Sequence, residues 1–228
     1  MVTRSLETAL RDIGAVQPHL STTAAVLVGV AALGAATLPG ISLVTQHVNT
    51  MAHEGAHAVM GSVMGRRVTG VKLSGNGTGL TGLSGPRGVG FVLAGVVGYL
   101  GPSAVGLGAA GLIAIGHSVA VLWLALLALV VLLVPLRRSP FGLAAAIVTG
   151  LGLYLVARYA PVGAQVAVAY GIAWFLLLSG IRVVLLHGRH AHDAAILRQL
   201  TRLPRGVWAG LWLAGSAAAL IFGGSLLV

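Results

Sequence analysis

The sequence contains no cysteine, and only 8% of its 228 residues are charged. The lack of cysteine excludes disulfide bonds and thiolate metal sites, and it leaves the redox environment open. Soluble domains usually carry about 25% charged residues, so such a low charged content is unusual for a soluble protein. Apolar stretches of about 20 residues recur along the chain, which is typical of membrane-spanning helices. The sequence therefore predicts an all-α polytopic membrane protein.

Seven membrane-spanning helices are predicted within one transmembrane domain over residues 21–228, and a cytoplasmic tail over residues 1–20 precedes them. Short stretches such as "LPGIS" separate several of the apolar runs, because glycine and proline interrupt helices. The 34 glycines suit helices that pack closely in lipid, since small residues let backbones approach. The predicted spans are 21–38, 41–65, 89–113, 117–136, 141–158, 161–186 and 206–228.

The distribution of positive charge predicts how the chain is oriented in the membrane. The net charge is +10, but the basic residues are scattered between apolar segments, which favours membrane topology over nucleic-acid binding. With the N-terminus in the cytoplasm and seven spans, all but Arg158 of the 14 Lys and Arg residues lie on the cytoplasmic side. A count of six or eight spans would scatter these charges, so the positive-inside rule favours seven.

One stretch, "NTMAHEGAHAVMG" at residues 49–61, places a glutamate and two histidines inside the predicted helix 41–65. His53 and His57 are four residues apart, so their side chains project from one helix face, one turn apart. Two neutral imidazoles in this arrangement can bind one zinc ion, and Glu54 can act as a general base toward water. A carboxylate at the centre of a span costs about 2.5 kcal/mol or more, so Glu54 is a functional candidate.

The predicted site lies within the bilayer, on the cytoplasmic side of the midplane. Arg66 marks the cytoplasmic end of the helix, and His57 precedes it by nine residues. At 1.5 Å per residue, about 13 Å separates the two positions along the helix axis. Both water and a substrate would have to reach this depth.

A catalytic zinc ion usually takes three protein ligands, so the site needs one more side chain. The segment 187–205 lies on the same predicted side as the motif and contains Asp193, the favoured third ligand. His190 and His192 in the same segment stay open as alternatives. Asp193 also suits the N-cap of a short helix that starts at Ala194, a role compatible with metal binding. The other histidines considered are His47, His117 and His187.

A small β-hairpin is predicted over residues 67–83, within the segment 66–87 that follows the motif helix. β-Branched residues lie on either side of Asn76-Gly77, a dipeptide typical of hairpin turns. The alternative interpretation of this segment is a flexible glycine-rich loop.

Four motifs together resemble the site-2 protease family of intramembrane zinc metalloproteases, and in particular its short, bacterial peptidase-like branch. The resemblance extends over residues 53–208 and leaves the first predicted span as an addition. The motif "HEGAH" is specific in this setting, whereas the other motifs support it by their order along the chain. The motifs are "HEGAHAVMG" at 53–61, "GRRVTGVKL" at 65–73, "GYLGPSAVG" at 98–106 and "HDAAILRQLTRLPRGVW" at 192–208.

The resemblance implies a zinc metalloendopeptidase of the bacterial inner membrane that binds one Zn²⁺ per chain. His53, His57 and Asp193 would bind the metal, and Glu54 would activate water. The expected substrate is the transmembrane helix of another membrane protein, cleaved near the cytoplasmic face. A membrane regulatory partner is a further expectation, and no nucleic acid is expected to bind. Substrate contacts are implied for part of the hairpin and for a Gly-Pro element, namely Val71, Lys72, Leu73, Asn76, Gly101 and Pro102.

Two other functions compete with proteolysis. A proteolytically idle membrane scaffold could retain the metal site, although a purely structural zinc site would not need Glu54. A metal transporter would require polar residues on several helices through the full bilayer depth, and the third to sixth predicted spans offer almost none. A set of polar side chains that only hydrogen-bond to neighbouring helices is the structural alternative.

Overall fold

The computed structural model describes residues 7, 11, 13–86 and 88–228. Arg4 and Arg87, which the sequence analysis assigns to the cytoplasmic side, lie outside the described residues. From Thr22 onward the described chain forms eight helices and one two-stranded sheet. These elements are α1 (Thr22–Thr37), α2 (Ile41–Val63), β1 (Arg67–Leu73), β2 (Gly79–Ser84), α3 (Val89–Ala114), α4 (Ser118–Leu136), α5 (Pro140–Tyr159), α6 (Val162–His187), α7 (His192–Thr201) and α8 (Arg205–Leu227).

Five helices, α3, α4, α5, α6 and α8, are long and apolar enough to cross a membrane. α1 and α2 satisfy the same test only together, and they are bent by 96° at the break between them. α1 has 16 residues, fewer than the roughly 20 that a full crossing needs, and α2 carries the polar residues of the motif. The described chain therefore has five candidate spans, or six if the bent pair is one broken span, and the predicted number of seven is not confirmed.

Residues 17–22 lie at the end of the bundle opposite the hairpin. The Gln17 N–H donates to the carbonyl of Gly116 (2.8 Å), which follows the C-terminal end of α3, and Thr22 Oγ1 donates to the carbonyl of Val228 (3.0 Å). The cytoplasmic placement of residues 1–20 stays a prediction. If α1 and α2 form one broken span, the chain crosses six times, which returns its C-terminus to the starting side.

Two long helices, α3 and α6, form the centre of the bundle and pack against each other over much of their length. At one crossing, Gly180 of α6 lies so close to the Ser103 hydroxyl of α3 that a Cβ there would overlap it. Close approach at small residues is how helices pack in lipid, where helix association gains little from the hydrophobic effect. α2 and α8 also pack against α3, so the motif helix is held against the bundle centre.

The predicted hairpin is confirmed. β1 and β2 pair antiparallel, with Leu73 opposite Gly79 and an irregularity between Val68 and Gly70. The turn is a five-residue loop rather than a two-residue one: the Ser74 N–H donates to the Thr78 carbonyl (2.9 Å) across it. Gly77 in this loop has a φ of 85°, which only glycine adopts without strain.

The hairpin lies along α2 instead of extending away from the bundle. Its tip contacts the middle of the helix, where Thr50 Oγ1 donates to the Gly77 carbonyl (2.8 Å). Its other end reaches the last turns of the helix, where Gly61 leaves room for the side chain of Leu83. β2 therefore passes Glu54, which lies between Thr50 and Gly61 on the helix.

Candidate metal and active site

The structure brings His53, His57 and Asp193 together. The Nε2 atoms of the two histidines are 3.0 Å apart, and Asp193 Oδ2 lies 3.2 Å from His53 Nε2 and 3.3 Å from His57 Nε2. Ligand atoms about 2.0–2.1 Å from a tetrahedral zinc ion lie roughly 3.3–3.4 Å from one another. Two imidazole nitrogens and one carboxylate oxygen at this spacing fit a zinc ion with a fourth position left for water.

His57 is oriented by a main-chain contact from α3. Its Nδ1 donates to the carbonyl of Ala94 (2.7 Å), which directs Nε2 toward the other two ligands. Such a hydrogen bond on the far nitrogen is how a metal-binding histidine is normally held in one tautomer. Gly98, one turn further along α3, lies directly against the rings of both histidines, so a side chain there would overlap His57.

His53 is supported by two aromatic rings. The rings of Tyr99 and His53 make an edge contact with centroids 4.7 Å apart, and Trp212 of α8 stacks on Tyr99. Trp212 is fully buried, and its indole N–H donates to the carbonyl of Val96 (2.9 Å). The position of His53 thus depends on α3 and α8 as well as on its own helix.

Asp193 reaches the histidines because α7 packs against α3 and α8. It lies in the first turn of α7, where the positive end of the helix dipole favours a carboxylate. The helix is capped by Ala191, so the structure does not place Asp193 at the N-cap. Burial opposes ionisation, but the hydrogen bonds of Asp193 to His53 and His57 outweigh it and hold the pKa of this carboxyl well below its usual range.

Glu54 is buried, with 4% of its surface exposed, and it faces β2. Thr81 Oγ1 lies 2.5 Å from Glu54 Oε2 and 3.1 Å from the Glu54 carbonyl oxygen, so it can donate to either. Gly79, two residues earlier on the strand, lies against the same carboxylate. A carboxylate next to two histidines, and held by one hydroxyl, can accept a proton from a water molecule in the site.

These residues border a cavity of about 490 Å³, bounded by α2, β2, α3, the C-terminal end of α6 and α7. His187, His190 and His192 also line it. Among the described residues, however, the only group with ligand atoms close enough for one ion is His53, His57 and Asp193. The structure therefore favours Asp193 over the alternative histidines.

Of the hairpin residues for which the resemblance implies substrate contacts, two are accessible and two are buried. Asn76 lines the cavity, and its Oδ1 accepts a hydrogen bond from the Thr78 N–H (3.1 Å). Lys72 is exposed. Val71 and Leu73 are buried in a core cluster with Met51 of α2 and do not line the cavity. Their position indicates that these two side chains anchor the hairpin.

The Gly-Pro element lies at a contact between two helices. Gly101 packs against α2, where a Cβ would come within 2.5 Å of the Ala56 methyl group, and Pro102 is fully buried. Neither residue lines the cavity. A role in substrate binding for this pair stays a prediction.

The sequence analysis missed several residues that build the site. Thr81 and Gly79 contact Glu54, Gly98 makes room for the histidine pair, and Tyr99 and Trp212 support His53. The alternation of β2 places Thr81 and Gly79 on one face, but nothing in the sequence indicates that this face meets α2. Gly98 and Tyr99 lie within the motif "GYLGPSAVG", but that motif does not indicate which side chains they contact.

Comparison of the chain with curated proteins and with solved structures gives no match. A sequence model described as Peptidase M50B-like matches residues 26–223, which include all three candidate ligands and Glu54. This match extends over most of the chain, and it agrees with a helix bundle that brings the two histidines of the HEGAH motif and the distant Asp193 together. The chain belongs to the Peptidase M50B-like family, consistent with the resemblance to site-2 proteases.

Proposed function

We propose that this protein is an intramembrane zinc metalloprotease that hydrolyses peptide bonds within the transmembrane segments of other membrane proteins. The observation that carries the proposal is the convergence of His53, His57 and Asp193 beside the buried Glu54. This set includes two of the four acidic residues in the chain, both placed at one cavity within a bundle of apolar helices. Carboxylates in a membrane are costly and so mark functional sites.

Each of these side chains has a role in the proposed reaction. His53, His57 and Asp193 would hold the ion, which when bound supplies a Lewis acid that activates water and polarises the scissile carbonyl. Glu54 accepts the proton of the attacking water and then donates it to the leaving amine. The apolar helices around the cavity would restrict the access of bulk water to the site. Electrostatic interactions within the site are then stronger than they would be in water.

The proposed substrate binds as an extended peptide along β2. A transmembrane helix must unwind before its peptide bonds become accessible, and its free N–H and C=O groups then need partners. An exposed strand edge supplies them. On the outer side of β1, the Leu73 N–H already donates to Ser139 Oγ (3.0 Å), whereas β2 borders the cavity at Gly79, Leu80 and Thr81.

The hairpin end of the bundle is proposed to face the cytoplasm. Most Lys and Arg residues of the chain lie in the segments at this end, and the positive-inside rule assigns such segments to the cytoplasm. Cleavage would then occur near the cytoplasmic face of the cell membrane. With six crossings, Arg11 and the C-terminal end of α8 would lie on the opposite side, so Arg11 would not follow the rule.

The substitution Glu54→Gln tests the proposal against an idle scaffold. The purified protein is reconstituted in bilayers with zinc and a panel of single-span membrane proteins, and new termini are identified by mass spectrometry. We expect Glu54→Gln to keep its zinc and to lose cleavage by about a hundredfold or more, because the amide cannot accept the proton. Glu7→Gln, the same change at the only other glutamate, is the control and should cleave like the wild type. Equal cleavage by Glu54→Gln would overturn the role of Glu54.

A further inference from the structure

We infer that Thr81 is a positioning residue for the general base: β2 holds the carboxylate of Glu54 in one orientation through the Thr81 hydroxyl and the bare backbone of Gly79. The inference rests on the proposed function of Glu54 and adds the strand to the catalytic machinery.

The first observation is the position of the Thr81 hydroxyl. Its oxygen lies 2.5 Å from Glu54 Oε2, which is the distance of a hydrogen bond to a charged carboxylate. In the part of the chain that the structure describes, no other side chain or N–H is found to hydrogen-bond this carboxylate. Glu54 has three rotatable side-chain bonds, so one strong contact at its end selects among many orientations.

The second observation concerns Gly79. Its backbone is in an ordinary conformation, so it is not needed for a special φ value. Instead, a Cβ at this position would overlap the carboxylate and Cγ of Glu54. The glycine therefore lets the strand approach the Glu54 carboxylate closely. Any larger residue at position 79 would displace that carboxylate.

The third observation explains why β2 stays in place. Thr81 is paired with Val71 of β1, and directly opposite residues of an antiparallel pair present their side chains on the same face. Val71 is buried to 1% exposure and packs in a cluster that includes Met51 and Ala58 of α2. The buried valine thus fixes the hairpin against the helix that carries Glu54. It thereby fixes the position of Thr81 along that helix.

Positioning of this kind has a kinetic signature. A misoriented carboxylate still allows the peptide to pair with the strand, so KM should change little. Proton transfer requires the carboxylate oxygen within hydrogen-bond reach of the water, so kcat should fall. Misplacement of a reacting group by about 1 Å can cost about a hundredfold in rate.

The experiment compares Thr81→Val, which removes the hydroxyl and keeps the shape, with Thr81→Ser, which keeps the hydroxyl. Thr69→Val is the matched control, because Thr69 is an exposed threonine on the neighbouring strand. The first measurement is the ¹³C NMR signal of glutamate labelled at the carboxyl carbon, in the zinc-loaded protein. The chain contains two glutamates, and Glu54→Gln assigns the signals.

We expect Thr81→Val to shift the Glu54 signal while the protein keeps its fold and its zinc, and to lower kcat by about tenfold or more with KM within about twofold. Thr81→Ser should restore both the signal and kcat. Gly79→Ala keeps the hydroxyl and should still shift the signal, because the added methyl group displaces the carboxylate.

A Glu54 signal in Thr81→Val that matches Thr69→Val would overturn the contact, whether or not a substrate is cleaved. A shifted signal with unchanged kcat would overturn the role in catalysis. Absence of cleavage by the wild type would count against the proposed protease function instead, and the NMR comparison would still decide whether Thr81 orients Glu54.

Discussion

The indole ring of Trp212 is stacked on the phenol ring of Tyr99, with centroids 4.4 Å apart and planes inclined by 20°. The two residues are on different helices, α8 and α3, and Tyr99 also contacts the ring of His53. α8 therefore supports His53, a candidate metal ligand on α2. This contact links the packing of the bundle to the metal site.

Replacing Trp212 with alanine should weaken both stability and metal binding. Loss of a fully buried tryptophan typically costs about 3–5 kcal/mol, and here it also removes the support behind Tyr99 and His53. Thermal unfolding in detergent should show a lower midpoint, and zinc titration a higher Kd. Trp123→Ala, in a separate apolar cluster, is the control that should lose stability without a change in zinc affinity. An unchanged zinc Kd in Trp212→Ala would contradict this link.

Two glycines of α3 provide a test of the space around the histidines. Gly98→Ala should abolish or strongly weaken zinc binding, because the new methyl group would overlap the ring of His57. Gly108→Ala is the matched control on the same helix, since a Cβ there has no heavy atom within 4 Å. Zinc content after purification distinguishes the two. If Gly98→Ala bound zinc as well as Gly108→Ala, the described packing at the site would be wrong.

The arrangement of the first two helices predicts which residues share a side of the membrane. The chain has no cysteine, so single cysteines introduced at exposed positions report their own accessibility. His19→Cys and Val228→Cys should react with a membrane-impermeant thiol reagent from the same side, and Arg137→Cys from the other. Labelling of His19→Cys and Arg137→Cys from one side would instead support seven separate spans.

The long helices could be predicted from sequence because their apolar runs are interrupted only at turns. Predicted spans 89–113 and 117–136 differ by no more than one residue from α3 and α4. The sequence also predicts the break between α1 and α2 but not the angle at that break, because a bend depends on what the two helices pack against. α1 packs against α6, and the local sequence around the break does not indicate this contact.

The candidate ligands could be predicted because their chemistry is rare in such an apolar chain. His53 and His57 have helical spacing, and Asp193 is the only acidic residue that follows Glu54 in the sequence. The residues that orient them could not be predicted in the same way. Thr81 and Tyr99 are ordinary residue types, and their roles arise only when a strand and a helix are placed against α2.

The most direct test of the account is the zinc content of the detergent-purified protein, measured by elemental mass spectrometry after zinc is supplied. We expect one zinc ion per wild-type chain, and almost none in His57→Ala or Asp193→Ala, because each loses one of three ligands. His190→Ala, which changes a cavity residue outside the ligand group, should keep its zinc. Full zinc in Asp193→Ala, or no zinc in the wild type, would contradict the proposed metal centre.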